Sequence, residues 1–261
     1  MFVCPLDRSI RSLAAGECAA RGQQAELVAE VPEPIEFPVT LTTNPTSLRP
    51  AEPAQLRFVV RDPWEGKVVT KFTPVHESLL HAFLVSEDLD YFLHDHPRWN
   101  GDGFELPVRL PRAGHYRVLA DFLPEAATPQ LAVKSLFVAG GRMPPPTLGR
   151  DYSPKRAENL RVELEVMPEE PVARTASTLQ FRVAPETGLE LYVGAPAHLF
   201  AASDDLIDLI HAHPLATVPS STVSFSVLFP RSRTYRVWVQ FQRDGVVNTA
   251  RFDIPVRPAA P

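Results

Sequence analysis

Cysteine is scarce: the 261 residues hold 2, Cys4 and Cys18, both near the start. Two thiols beside one terminus are not the spaced, even-numbered set of a disulfide scaffold, so no disulfide framework is expected. Long apolar runs are missing, and no window nears the roughly 18 consecutive apolar residues of a membrane span. Residues 1–5, MFVCP, carry neither a charged n-region nor an apolar h-region. A secretory signal is therefore not read there, and the chain as written points to the cytoplasm. Positive charge is also short. Lys and Arg number 26 against 31 Asp and Glu, a net charge of −5, with no long basic run, which argues against a nucleic-acid footprint. There is no Gly-x-Ser-x-Gly elbow, phosphate loop or dinucleotide fingerprint.

What is present is apolar substance and proline. The hydrophobic fraction is 44%, with 15 Phe, enough for packed cores rather than disorder. The 28 prolines suit edges, turns and linkers and fit poorly inside helices. The length favours two domains.

Self-similarity sets the organisation. Residues 81–97 read HAFLVSEDLDYFLHDHP and residues 198–214 read HLFAASDDLIDLIHAHP, at a constant offset of 117 (198 − 81). Ser86, Asp88 and Leu89 recur as Ser203, Asp205 and Leu206. Further on the offset is 119 (235 − 116), matching Val108, Leu110, Pro111, Tyr116, Arg117, Val118 and Phe122 with Val227, Phe229, Pro230, Tyr235, Arg236, Val237 and Phe241. Two extra residues in the second copy fall in a loop, where insertions belong. The Gly/Pro-rich stretch 140–157 reads as a linker, and the proline-rich stretch 31–38 sets off a short N-terminal segment. The expected organisation is therefore a segment over 1–30, a first repeat over 35–139, the linker over 140–157, and a second repeat over 158–257.

Inside each repeat the pattern is β. Phe104, Leu106, Val108 and Leu110 alternate with other residues, as do Val223, Phe225, Val227 and Phe229. Period-2 runs bounded by turn residues indicate half-buried strands. About seven such runs in roughly 100 residues match the rhythm of an immunoglobulin-like sandwich. The fold class is all-β, with two tandem immunoglobulin-like β-sandwiches.

The repeated segment also carries the candidate site. His81 to Ser86 forms one strand, residues 87–90 have turn chemistry, and Tyr91 to His96 forms the next strand. A four-residue hairpin loop sets Ser86 opposite Tyr91 and His81 opposite His96, with His94 on the same face. The same arithmetic sets His198 opposite His213, with His211 alongside. Three imidazoles at one corner suit copper or zinc, one site per repeat. The same face carries Phe83, Val85 and Phe92, and Phe200, Ala202 and Leu209, which places the histidines at the rim of an apolar core. The other reading of these histidines is as half-buried polar residues satisfying backbone groups. His76, which Val193 replaces in the second copy, stands as a fourth ligand of the first site or as a surface residue. An alternative helical turn over residues 87–91 would shift the register and part His81 from the other two. No carboxylate follows His96 or His213 at cupin spacing, and Arg98 and Leu215 break the pattern of a binuclear hydrolase. With no acid–base or nucleophile–base pair to place, the chain is expected not to be an enzyme.

The first 28 residues resemble the short heavy-metal-binding domain of bacterial copper-handling proteins: Phe2, Cys4, Pro5, Gly16, Cys18 and Gly22 stand in its register. Leu6, Asp7 and Arg8 replace its Met-His-Pro, Ala15 its proline, Arg21 its last cysteine and Gln23 its last methionine. The resemblance implies either a metal-free relic that kept its turns or a Cys4–Cys18 thiol pair gripping Cu(I). The rest looks like a bacterial uncharacterised two-repeat family with the motif His-(Leu/Ala)-Phe-x-Val-Ser-x-Asp-Leu-x-x-Phe-x-His-x-His-Pro. Its later signature stands here from Phe229 through Tyr235 and Trp238 to Gln242, with Arg233 in place of its glycine. That resemblance implies extracytoplasmic heavy-metal handling, with copper ahead of zinc. The partner implied is a metal ion, and behind it a protein presented with loops or sheet edges. No nucleic acid and no membrane span is expected.

Overall fold

The computed structural model describes residues 2–7, 9–12, 15–20, 22–29 and 35–259. Arg8 and Arg21, two departures from the heavy-metal motif, and residues 31–34 of the proline-rich stretch lie outside them. The chain divides into two compact units, 1–36 and 37–261.

In the first unit, β1 (Phe2–Val3) pairs with β2 (Arg11–Ser12) and with β5 (Val28–Ala29), while β3 (Glu17–Ala20) and β4 (Gln23–Glu26) form a hairpin. Cys4 and Cys18 are buried and joined in a disulfide, with their Cα atoms 5.9 Å apart. Of the two readings that the resemblance implied, this removes the Cu(I)-gripping thiol pair. The pair is a structural bridge, and neither sulfur is a thiolate able to hold Cu(I). The physical reason is size: so short a segment buries too little apolar surface to hold itself together without a staple.

The second unit contains both repeats. The first comprises β6 (Val39–Asn44), β7 (Pro53–Val60), β8 (Leu80–Ser86), β9 (Phe92–Asp95), β10 (Arg98–Trp99), β11 (Phe104–Arg109), β12 (Gly114–Phe122) and β13 (Gln130–Val138). Its two sheets run β10-β11-β7-β6 and β13-β12-β8-β9. The second repeat comprises β14 (Lys155–Arg156), β15 (Arg161–Met167), β16 (Ala176–Ala184), β17 (Leu189–Glu190), β18 (His198–Ser203), β19 (Leu209–Ala212), β20 (Thr222–Leu228), β21 (Thr234–Arg243) and β22 (Val246–Pro255). Its sheets run β14-β15-β16-β20 and β17-β21-β18-β19, with β22 also paired to β21. Every pairing between these named strands is antiparallel. Among the described residues no helix is long and apolar enough to cross a membrane.

Each sandwich has its own core. Leu80, Ala82 and Leu84 of β8 and Tyr116, Val118 and Ala120 of β12 face Leu56, Phe58, Phe104 and Leu106 of the opposite sheet. The second repeat is built alike, with Leu199, Ala201, Val237 and Val239 against Leu179, Phe181, Phe225 and Val227. The matched tyrosines explain themselves here. Tyr116 donates its hydroxyl hydrogen bond to the Arg112 carbonyl at 2.8 Å, while the Tyr235 hydroxyl donates to Asp208 Oδ2 at 2.6 Å and lies 3.1 Å from the Arg231 carbonyl. Both are tyrosine corners of the immunoglobulin-like kind.

The linker expected over 140–157 is tied down. Met143 is buried in the first core, its backbone N–H donates to Glu87 Oε1 at 2.6 Å, and β14 falls inside the stretch.

Half-buried strands were expected throughout, yet β8 and β18 are buried at every position. Their second faces are covered because the repeats pack sheet against sheet. Phe83, Val85, Leu89 and Leu119 of the first repeat form a third core with Phe200, Ala202 and Trp238 of the second. At its centre Phe83 stacks on Phe200, its own counterpart in the repeat (200 − 83 = 117), with centroids 4.8 Å apart and planes 13° from parallel. Phe92 lies flat on Trp238 at 4.9 Å. Equivalent residues meeting each other mark a local two-fold relation between the repeats. Phe200→Ala is expected to destabilise the second unit by about 3–5 kcal/mol in denaturant unfolding, as for a fully buried phenylalanine. A loss below about 1 kcal/mol would mean that this third core does not hold the repeats together.

Candidate metal site at the face between the repeats

The hairpin register places the histidines. On β8 and β9, Ala82 pairs with Asp95 and Phe83 with His94, and the Ser86 N–H donates to the Tyr91 carbonyl at 3.1 Å. On β18 and β19, Leu199 pairs with Ala212 and Phe200 with His211. The turn between each pair is fixed by the repeated Ser-x-Asp-Leu. Ser86 Oγ donates to Asp88 Oδ1 at 2.5 Å, the Tyr91 N–H donates to Ser86 Oγ, and Leu89 takes a left-handed φ of 60°. Ser203, Asp205 and Leu206 repeat the arrangement. A β-turn, not a helical turn, closes the hairpin, so His81, His94 and His96 share one face.

That face, shared with Phe83, Val85 and Phe92, is the outer face of the sheet where the repeats meet, so the apolar core that the histidines rim is the third one. Seven of the eight histidines therefore gather in one cluster, with rings linked from His96 through His81, His94, His198 and His211 to His213 and His76 at centroid distances of 4.7–6.5 Å. His115 stands apart, exposed beside Phe137.

His81, His94 and His96 converge. His81 Nδ1 lies 3.2 Å from His94 Nε2 and 3.1 Å from His96 Nε2. The other nitrogens fix where the protons are. His81 Nε2 is 2.9 Å from the Val75 carbonyl, which can only accept, so that nitrogen carries the hydrogen. His94 Nδ1 is 2.8 Å from Gln240 Oε1 of the other repeat, whose amide nitrogen is held by Thr249 Oγ1, so Nδ1 donates there. Burial lowers His81 to about 4 and pulls His94 far below the usual imidazole range, so both rings are neutral at neutral pH. In that state His81 Nδ1 and His94 Nε2 turn lone pairs at each other with no hydrogen between them. A hydrogen on His96 Nε2 can satisfy His81 Nδ1 but leaves His94 Nε2 bare. A cation between the three rings satisfies all of them. Copper and zinc bonds to imidazole of about 2.0–2.1 Å require ligand nitrogens roughly 3–4 Å apart. Phe83 lies over His94 at 4.3 Å and keeps the inner side dry. His96 also lines a surface cleft of about 410 Å³ with Asp95, Arg98 and Glu105.

The second set departs from expectation. His198 Nε2 is bound to the Tyr192 carbonyl at 2.8 Å, and its ring lies 6.3 Å from that of His211. The compact group is instead Asp121, His211 and His213, whose donor atoms lie within 4.8 Å of one another. His76 is not a fourth ligand of the first site. Its ring is 6.5 Å from His81 but 4.8 Å from His213.

Sequence reasoning missed Asp121 and Gln240. They are the same position in the two repeats (240 − 121 = 119), each a polar residue set among apolar neighbours on a central strand, and that pairing was the available signal. Below them Arg236 fixes the interface again, bonded to Asp253 at 2.7 Å and to the Leu89 carbonyl at 3.0 Å across the repeats.

Two tandem immunoglobulin-like sandwiches joined through a histidine-bearing face define the class of protein. The chain belongs to the family described as Domain of unknown function (DUF8832), which matches residues 22–134 and 155–258. No curated protein matches it. Solved structures resemble it distantly. The Escherichia coli adhesin FdeC is 14% identical over 94% of this chain and 74% of that one, with a TM-score of 0.28. A two-domain fibronectin type-III segment of chicken tenascin is 11% identical over 85% of this chain and 100% of that one, with a TM-score of 0.26. Likenesses this weak carry no functional argument.

Replacing Gln240 with Leu removes the acceptor of the buried His94 Nδ1–H at nearly constant shape. Denaturant unfolding of the apo protein is expected to show a loss of about 1–3 kcal/mol. An unchanged midpoint would contradict the assigned tautomer.

Proposed function

We propose that the chain is a non-catalytic metal-binding protein of heavy-metal handling, with His81, His94 and His96 as the ligands of its principal site. One observation carries the reading: two buried ring nitrogens 3.2 Å apart, each with its other nitrogen spent as a donor. Copper stands ahead of zinc. Three neutral imidazoles add no charge to the site, so a monovalent as well as a divalent ion can sit there, and copper outranks zinc in intrinsic affinity for such ligands. Gln240 acts behind the ligands by fixing the His94 tautomer. The disulfide of the first unit accords with an oxidising, extracytoplasmic setting.

The absence of catalysis is part of the proposal. From the spacing in the sequence no nucleophile–base or acid–base carboxylate pair can be placed. A second reading is a structural or protein-interaction protein, whose histidines are buried polar residues and whose sandwiches present edges or loops to a protein partner. The hydrogen bonds from His94 to Gln240 and from His211 to Asp121, which tie one repeat to the other, favour it.

Calorimetric titration of apo protein with Cu(II) and Zn(II) separates the two. On the metal reading copper binds, and at 100 times its dissociation constant it adds about 2.7 kcal/mol of stability. His94→Ala removes the copper held by His81, His94 and His96 and the stability that it adds. If neither metal binds near neutral pH and the melting temperature stays put, the structural reading replaces this one.

A further inference from the structure

The other half of the cluster is not a copy of the first. Where Gln240 accepts from His94, its counterpart Asp121 accepts from His211: His211 Nδ1 lies 2.5 Å from Asp121 Oδ2. The donated hydrogen leaves the lone pair on His211 Nε2. That nitrogen is buried and has no hydrogen-bond partner, on a side chain only 1% exposed. A buried acceptor without a donor is a cost that a purely structural histidine has no reason to carry.

The groups around it are ligand types. The His213 ring lies 4.8 Å from that of His211. His76 comes from the first repeat, on a tight turn in which it takes a left-handed φ of 47°. The equivalent turn of the second repeat carries Val193 at the same φ, so the shared loop shape does not require a histidine there. The His76 ring lies 4.8 Å from that of His213 and 5.7 Å from that of His198. His198 spends Nε2 on Tyr192 and keeps its own Nδ1 lone pair.

We propose that His211, His213 and His76 form a second metal site, shared between the repeats and oriented by Asp121, for a divalent ion such as zinc. His211 Nε2 is the inner ligand with His213 beside it, His76 comes in from the His213 side to complete the set, and a fourth position stays open for water, as in three-histidine zinc centres. Asp121 is a positioning residue. Its carboxylate fixes the His211 tautomer and adds a negative charge that the first site lacks. That charge separates the two sites: a dication gains more from the Asp121 side, while the Gln240 side is neutral.

This site shares with the reading above only the premise that the interface takes metal, and its residues are different. The test counts zinc on the full chain by native mass spectrometry and measures each affinity by calorimetry, for wild type, His94→Ala, Asp121→Asn and His213→Ala. His213 is exposed, so its replacement leaves the fold intact, which circular dichroism verifies. The expected result is two zinc ions on wild type and one on His94→Ala. His213→Ala also keeps one, and Asp121→Asn weakens one of the two by about 10–100-fold. If zinc is lost with Asp121→Asn and His213→Ala but kept with His94→Ala, this site stands and the first fails. A single zinc lost with His94→Ala and indifferent to the other two variants overturns the second site and leaves the first. No zinc bound by wild type overturns it as well.

Discussion

Phe83 and Phe200 occupy the same place in the two repeats and stack on each other 4.8 Å apart, and the rest of the arrangement depends on that contact. It requires β8 and β18 to turn apolar side chains outward as well as inward, so both strands are buried on both faces. Strands of this kind read as continuous apolar runs rather than alternating ones. Whatever polar side chain shares the outward face is carried into the same dry interface. His81 and His198 stand one strand step from the phenylalanines, and His94 and His211 stand across from them. The histidines are concentrated because the repeats are packed, and burial keeps the rings of His81, His94 and His198 neutral.

Packing equivalent faces also makes each half of the cluster depend on the other repeat. His94 is oriented by Gln240 and His211 by Asp121. One position of the ancestral repeat has thus become a neutral acceptor in one copy and an anionic one in the other. The geometry of the two halves stays related while their electrostatics diverge, with a carboxylate behind one set of rings and an amide behind the other. His76, set against Val193, adds to the asymmetry.

Much of this was legible in the sequence. The offset of 117 between the histidine segments identified the duplication, and period-2 runs such as Phe104 to Leu110 identified the sandwich strands. The register that brings His81 to His96 followed from counting across the Ser86–Tyr91 turn, and Ser86 and Asp88 do hold that turn. What lay beyond the sequence was the partner of the outward face. Alternation within a strand tells which residues share a side, but not what covers that side. The histidines were therefore assigned to two separate corners, His76 to the first site or to the surface, and Asp121 and Gln240 to nothing. The apolar second face of HAFLVS was the sign of two-sided burial. The Cys4–Cys18 bridge was missed for another reason: spacing alone does not distinguish a thiol pair from a disulfide, whereas two sulfur atoms held together inside a small buried cluster do.

The central claim is that the interface between the repeats gathers imidazole nitrogens around a position that a metal ion fills. Anomalous X-ray diffraction at the copper edge, from crystals grown with Cu(II), tests it most directly. The account predicts a peak about 2.0–2.1 Å from His81 Nδ1, His94 Nε2 and His96 Nε2, on the face where the repeats meet. Well-occupied copper elsewhere on the chain, with those three rings unliganded and their nitrogens still 3.1–3.2 Å apart, would contradict it.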